Sequence, residues 1–302
     1  MVNLIRKLGH IVKNSPKTVR NCIIISKTKY KRNFKAITIN KNRNPKLVVS
    51  LTSYKKRFPT LVLCLKSLLN QTMLPDHLVL YLSKDEKKSL PNAVKALEKY
   101  GLEIRFVGLD LKPHKKYYYA MKEYPNDIII TVDDDVVYDK NLIKDLYSTY
   151  KQFPNCIISA RAHKIVIKKG KIVDYSKWNQ SYIPSSLHPS FLFMATGVGG
   201  VLYPPHLLNL NILLNLKYIN KYIEVDDLWL KTVEIISGVP TVICGSKLEK
   251  NRIEIPSAQK VGLAKTNVDL GQNNIKLKEL EKEFDITHKL IQKEKMRYFK
   301  ER

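Results

Sequence analysis

The sequence predicts an α/β protein built on a mostly parallel sheet with helices on both faces. Short β-branched runs alternate with helical segments through the first half of the chain, the rhythm of a doubly wound sheet. Polar or acidic clusters follow two of the strands, at 52–57 and 133–135, where such sheets hold their ligands. With 302 residues, 44% of them hydrophobic, the chain can build one large domain or two small ones around a sizeable core.

The elements follow in order. Residues 46–51 read as the first strand, and a polar turn at 52–57 leads to a helix whose core face is Leu61, Leu65, Leu68 and Leu69. A strand at 77–82, a helix at 91–99, a strand at 103–107 and a helix at 115–124 come next. Residues 128–137 (IIITVDDDVV) read as one strand, followed by a helix at 141–153. The rhythm then breaks. Gly170 marks a hairpin tip between 165–167 and 172–173, and 195–200 is glycine-rich inside apolar residues, which implies close backbone approach. That segment lacks the spacing and the lysine of a phosphate-binding loop. Acids at 224–227 open a helix, 241–244 is a last strand, and from 274 the chain is helical, with Leu277, Leu280, Phe284 and Ile291 on a sparse apolar seam.

The three consecutive carboxylates Asp133, Asp134 and Asp135 are the most informative feature. Like charges at the end of a buried strand repel one another unless something cationic sits there. In extended backbone Asp133 and Asp135 point the same way, and two such carboxylates can hold a divalent metal and, through it, a diphosphate. The plainer reading is a solvated turn capping the next helix.

The net charge of +26 is unevenly spread: no Asp or Glu precedes Asp76, and residues 1–75 carry 17 Lys or Arg. An acid-free quarter of the chain implies an anionic neighbour. Residues 1–45 read as a basic appendage, in which Leu4, Ile5, Leu8, Ile11 and Val12 share one helical stripe that fits either an anionic bilayer or the main domain. Cys22, Cys64, Cys156 and Cys244 show no paired spacing, which argues against a zinc cluster or a disulfide framework and fits a reducing cytoplasm. No run reaches the roughly 18 apolar residues of a membrane span, and no cleaved signal peptide is expected.

Together these pieces resemble the GT-A type glycosyltransferases of family 2, especially bacterial enzymes that extend surface polysaccharides. Residues 48–54 (VVSLTSY) and 65–72 (LKSLLNQT) look like the family's opening strand, nucleotide loop and first helix; 131–136 (TVDDDV) is similar to its DxD element. Residues 196–203 (TGVGGVLY) look like its acceptor-side glycine segment, and 224–229 (EVDDLW) resembles its acidic motif. The likeness covers 46–270, as a Rossmann-like nucleotide half plus an acceptor half, and leaves 1–45 and a basic C-terminal helix at 271–302 outside it.

The resemblance implies a nucleotide-diphosphate sugar donor, expected to be a UDP-sugar, with Mn2+ or Mg2+ bridging the diphosphate. Asp135 would be the direct metal ligand, Asp133 would meet the ribose or a metal-bound water, and Asp134 would lie beside the donor. Thr52, Ser53, Arg57, Lys115 and Lys116 are further donor contacts. Asp227 would take the acceptor's proton, with Asp226 as its neighbour; in the plainer reading one of Glu224, Asp226 and Asp227 simply caps the helix. Gly197, Gly199 and Gly200 are expected on the acceptor side. Trp178 and Trp229 can stack on sugar rings or pack in the core, and Trp229 is assigned to the acceptor. Gln259, Asn267, Asn273 or Asn274 would close over the donor. No histidine shows metal-ligand spacing: His114 and His188 lie in loops that can reach the site, and His163 is not assigned to it.

The leading function is therefore a hexosyl- or N-acetylhexosaminyltransferase acting on a cell-surface glycan or lipid-linked saccharide, peripheral on the cytoplasmic face of the inner membrane. A metal-dependent nucleotidyltransferase is the alternative enzyme, but 51–58 lacks the glycines expected of it. A nucleic-acid-binding protein is the alternative from another class, suggested by the basic pI. The basic residues follow no such motif, and three bare aspartates repel phosphates. Nucleic acid is not an expected partner. The donor sugar, the acceptor and the stereochemical outcome are not encoded in these motifs.

Overall fold

The computed structural model describes residues 15–259 and 271–300. Seven strands form the central sheet: β1 (Leu47–Thr52), β2 (His77–Ser83), β3 (Leu102–Val107), β4 (Ile128–Thr131), β5 (Ile157–Ser159), β6 (Val201–Tyr203) and β7 (Thr241–Ile243). Their spatial order is β7-β5-β6-β4-β1-β2-β3. β1 pairs in parallel with β2 and β4, β2 with β3, and β5 with β7; β6 alone runs antiparallel, between β4 and β5. The mostly parallel sheet expected from the alternating runs is thus present.

The long helices are α1 (Ser15–Tyr30), α2 (Phe58–Leu69), α3 (Lys115–Glu123), α4 (Leu142–Gln152), α5 (Asp226–Ser237), α6 (Gln272–Phe284) and α7 (Ile286–Lys300). Alternation along β1 sorts them into layers. Leu47, Val49 and Leu51 face α2 and α4 through Leu61, Leu65 and Leu146, whereas Val48 joins the opposite core with Tyr117 of α3, Trp229 of α5 and Leu280 of α6. Strand burial on both faces is what a parallel sheet requires, and it explains the unbroken apolar runs in the sequence.

The expected helix at 91–99 is corrected. A short helix (Asn92–Lys95) gives way to a 3-10 turn (Glu98–Tyr100), closed by Gly101 at φ 92°. The backbone of Ile37 crowds the position where a Cβ on Gly101 would stand, so the chain turns tightly here instead of winding on. The hairpin at Gly170 forms as expected, with Ile167 opposite Ile172.

Both ends of the described chain dock on the body. Ile24 and Ile25 of α1 pack with Leu63 over Val137, Ile253 and Ile255. The Asp76 carboxylate accepts hydrogen bonds from the Asn40 and Leu47 N–H groups and from Arg43 Nη1, fixing the segment that enters β1. At the other end Leu280 and Leu290 are fully buried, and Glu294 of α7 accepts from Phe191 N–H and Ser190 Oγ. Residues 4–12, on which the amphipathic stripe falls, lie outside the described residues.

Candidate functional site

The predicted strand at 128–137 is interrupted where it matters. β4 ends at Thr131, the chain turns through Val132–Asp135, and Val136–Val137 pairs antiparallel with Ile253–Glu254. The three aspartates therefore do not alternate as in extended backbone, and the expectation that Asp133 and Asp135 share a face is corrected. Asp134 and Asp135 meet one cation: Arg57 Nη1 lies 2.6 Å from Asp134 Oδ1 and 3.0 Å from Asp135 Oδ2. Asp133 turns to Lys116 instead, with Nζ 2.7 Å from Oδ1. Ser53 Oγ donates to Asp134, whereas Thr52 Oγ1 donates to the Tyr81 carbonyl within the sheet. Burial raises the Asp134 carboxyl above the ordinary range despite Arg57 and Ser53, and the two aspartates hold Arg57 firmly charged.

Lys116 joins the two halves of the fold. Its ammonium is almost wholly buried, and besides Asp133 it lies 2.9 Å from Asp226 Oδ2 at the start of α5. Burial alone would discharge it; Asp133, Asp226 and Asp227 outweigh that and lift it well above the usual lysine range. Val225 occupies the cap position without a side-chain bond, so both acids sit inside the first turn of α5 and neither caps it. Their protonation separates. Burial works against ionised Asp226, but Lys116 overrides it and holds that carboxyl below the ordinary range. Asp227 is pushed up to about 8 by burial and by the charge of Asp226. Gly197 N–H donates to Asp227 Oδ1 at 3.1 Å, fixing one oxygen. A neighbouring pair of carboxyls whose environments drive them apart assigns ionised support to one and proton exchange to the other.

These groups line a single cleft of about 630 Å³, together with Arg161 and Gln180. Thr52, Ser53, Arg57, Lys116, Asp133, Asp134, Asp135, Asp226 and Asp227, the nine expected catalytic, donor and metal residues, all border it. The acceptor assignments divide. Gly197 is in the site: a Cβ there would stand 2.5 Å from Lys116 Nζ and 3.0 Å from Asp133 Oδ1. Gly199 instead admits the backbone of Arg161, and Gly200, at φ 92°, backs onto Leu142. Trp229 is corrected outright: it is fully buried, stacks on Tyr222 at 5.6 Å and donates from Nε1 to the Leu213 carbonyl. At its position in α5 the ring turns toward Phe284 and the core. Trp178 also packs, against Tyr175.

Several cleft residues escaped sequence reasoning. Arg161 and His163, two apart just past β5, both line the cleft; Asn273, one of the four residues expected over the donor, lines it too and is largely buried. The usable signal for Arg161 and His163 was their position beyond a strand's carboxyl end. Asn274 accepts from Tyr175 N–H; the Gln259 side chain and Asn267 lie outside the described residues. His114 is buried between the Tyr117 hydroxyl and the Tyr222 carbonyl, and burial lowers it to about 4, so it is a neutral structural ring. His188 meets its own loop at the Ser186 carbonyl. Among the described residues no three His, Cys, Asp or Glu form a ready metal cage. The hard oxygens of Asp133 and Asp135 nevertheless suit Mn2+ or Mg2+ if substrate phosphates and water complete the shell, the usual habit of such cations.

Residues 49–197 match the family model described as glycosyl transferase family 2. No curated protein matches the sequence. Among solved structures, residues 1–349 of TarS from S. aureus in complex with UDP-GlcNAc are 16% identical at TM-score 0.44, over 67% of this chain and 56% of that one. A mannosyltransferase from Pyrobaculum calidifontis, in complex with GDP-Man and Mn2+, is 14% identical at TM-score 0.33, over 53% of this chain and 46% of that one. The inositol-1-phosphate CTP transferase from T. maritima is 13% identical at TM-score 0.41, over 82% of this chain and 98% of that one. The chain spans little more than half the length of the TarS fragment, and likeness at these levels is silent on donor, acceptor and metal. The family match covers β1 to β5, the acidic turn and the start of the glycine segment, so over that part, just under half of its length, the chain is similar to glycosyl transferase family 2.

Proposed function

We propose that the enzyme moves a sugar from a nucleotide-diphosphate donor, expected to be a UDP-sugar, onto a hydroxyl of a cell-surface glycan or lipid-linked saccharide. One observation carries this reading: a single cleft holds the acidic turn with its cations and, across Lys116, a carboxyl raised to about 8. The diphosphate end is Ser53, Arg57 and the aspartates. Mn2+ or Mg2+, held by Asp135 and Asp133, would offset the charge that grows on the departing diphosphate. Lys116 supplies a fixed, buried positive charge beside that same group. Asp227, once ionised, accepts the proton of the attacking hydroxyl, and its raised pKa makes it the stronger base of the pair. Gly197 N–H orients it, and Asp226 stays ionised against Lys116.

The same reading includes attachment to an anionic membrane surface on the cytoplasmic side. Among the described residues no helix is long and apolar enough to cross a membrane. Helix α1 has no acid and exposes Val19, Ile23 and Tyr30 beside Arg20, Lys27 and Lys29, a face suited to anionic headgroups.

A donor screen tests the reaction: nucleotide release from UDP- and GDP-sugars, with and without Mn2+, in the presence of oligosaccharide and lipid-linked acceptors. Metal-stimulated, acceptor-dependent release from one donor is expected. Absence of release from every donor, with nucleotide binding intact, would refute it.

A further inference from the structure

We propose that the acceptor carries an anionic group, a phosphate or a carboxylate, that seats on Arg161 next to the hydroxyl facing Asp227. The inference rests on the transferase reading above and names the chemistry of its acceptor. Arg161 lines the same cleft as the acidic turn and Asp227. Its Nη1 donates to Thr196 Oγ1 at 2.8 Å and its Nε to Ser181 Oγ at 3.1 Å. Thr196 N–H in turn donates to the Arg161 carbonyl at 3.1 Å, so the residue is held by both main chain and side chain. The next residue, Gly197, is the one whose N–H fixes Asp227. Guanidinium and base are therefore positioned by two successive residues of one loop.

Arg161 is ion-paired with Glu249 at its Nε edge, within a cluster in which Arg252 also meets Glu254 at 2.9 Å. Glu249 comes within 3.3 Å of Nε, but both its oxygens accept from Arg252, at 2.9 and 3.1 Å. Among the described residues no hydrogen bond or ion pair engages Arg161 Nη2. His163 adds a second donor. Ser181 N–H donates to its Nδ1 at 3.0 Å, and burial together with Arg161 lowers the ring to about 3. A neutral ring that accepts at Nδ1 carries its proton on Nε2, where it is a donor. A fixed guanidinium edge beside a neutral N–H is the donor set of an oxyanion site. An oxyanion can accept charge-assisted bonds from the open guanidinium edge and the ring N–H together, which a neutral hydroxyl matches only weakly.

The test uses one sugar ring with three substituents at C6: methyl glucoside, methyl glucuronide and methyl glucoside 6-phosphate, titrated calorimetrically into the full chain with UDP present. The anionic probes are expected to bind about ten- to a hundred-fold tighter than the neutral one, the range of a charge-assisted hydrogen bond. The tighter of the two identifies phosphate or carboxylate as the source. Arg161→Gln should abolish the preference and Arg161→Lys should keep part of it, since lysine retains charge but not the fork. Melting curves of both variants separate lost binding from lost fold. Equal binding of all three probes, no binding by any, or an unchanged preference in a folded Arg161→Gln protein would overturn the proposal. Donor cleavage to water by the same preparation reports on the reaction independently. Turnover without the preference removes the subsite alone, and the preference without turnover removes the reaction alone.

Discussion

Asparagine at position 227 should separate activity from stability. The carboxyl is raised to about 8 in the fold, chiefly by burial and then by Asp226, whereas an unfolded chain releases that proton near pH 3.9. Asp227→Asn keeps an oxygen able to accept from Gly197 N–H, at 3.1 Å in the parent, but it cannot take a proton. The transfer rate should fall about 10²- to 10⁴-fold, the usual contribution of a general base, while UDP affinity stays within about twofold. In the parent, about a tenth of Asp227 is ionised at pH 7 and about nine tenths at pH 9, so kcat/KM should rise roughly tenfold between them. Stability runs the other way. The folded state retains a proton that the unfolded state loses above about pH 4, so this contribution is complete below that pH and is lost as pH rises through about 8. The variant has nothing to ionise there, so it should melt higher than the parent at pH 8.5, and the gap should narrow toward pH 4. Nucleotide-release assays across pH, paired with thermal melts, give both readouts. A variant that keeps the parent's rate, or a parent profile flat from pH 7 to 9, would refute the assignment of Asp227 as the base.

Three further perturbations address other parts of the site. Asp134→Ala removes the closer partner of Arg57, 2.6 Å away and nearly buried, so it should cost about 3 kcal/mol in urea unfolding and be no milder than Asp135→Ala; an equal or smaller loss than at an exposed aspartate would contradict this. Gly197→Ala places a methyl 2.5 Å from Lys116 Nζ, which must move; transfer should drop by about tenfold or more while far-UV circular dichroism is unchanged, and full activity would show that the contact yields freely. Replacing Arg20, Lys27 and Lys29 together by Glu should weaken binding to phosphatidylserine vesicles by about a hundredfold or more, at about 1 kcal/mol per basic residue, and cosedimentation equal to the parent's would move the membrane contact elsewhere.

The fold was legible because parallel strands buried on both faces leave unbroken β-branched runs, as at 46–51 and 128–131, and because α2 shows its core leucines at helical spacing. The site was legible where chemistry demanded unusual residues: three adjacent aspartates and the acid pair at 226–227 both reach the cleft. What failed was orientation. A run of β-branched residues predicts a strand but not its last pleat, so the turn at 132–135, which sends Asp133 to Lys116 and its neighbours to Arg57, left no trace in the pattern. Trp229 failed for a related reason, since the face of a helix that meets the core depends on packing partners far away in sequence, here Tyr222 and Phe284. Arg161 and His163, two apart in sequence, are held beside Thr196 and Met194 by the pairing of Ala162–Lys164 with Phe193–Ala195, a contact that no local pattern encodes.

Lys116 bears on how this chain can be rebuilt. The lysine is carried by a helix of the nucleotide half, yet one of its two close carboxylates, Asp226, belongs to the acceptor half. Chimaeras that join one relative's donor-binding segment to another's acceptor-binding segment, cut anywhere between α4 and β6, would part the lysine from that aspartate. A recombinant that brings an acid at 226 without the lysine inherits a buried anion with no counterion, and the reverse combination leaves Asp133 as the ammonium's sole close partner. The two halves are interchangeable only as a matched set at positions 116, 133 and 226, with glycine kept at 197 to leave room for the ammonium.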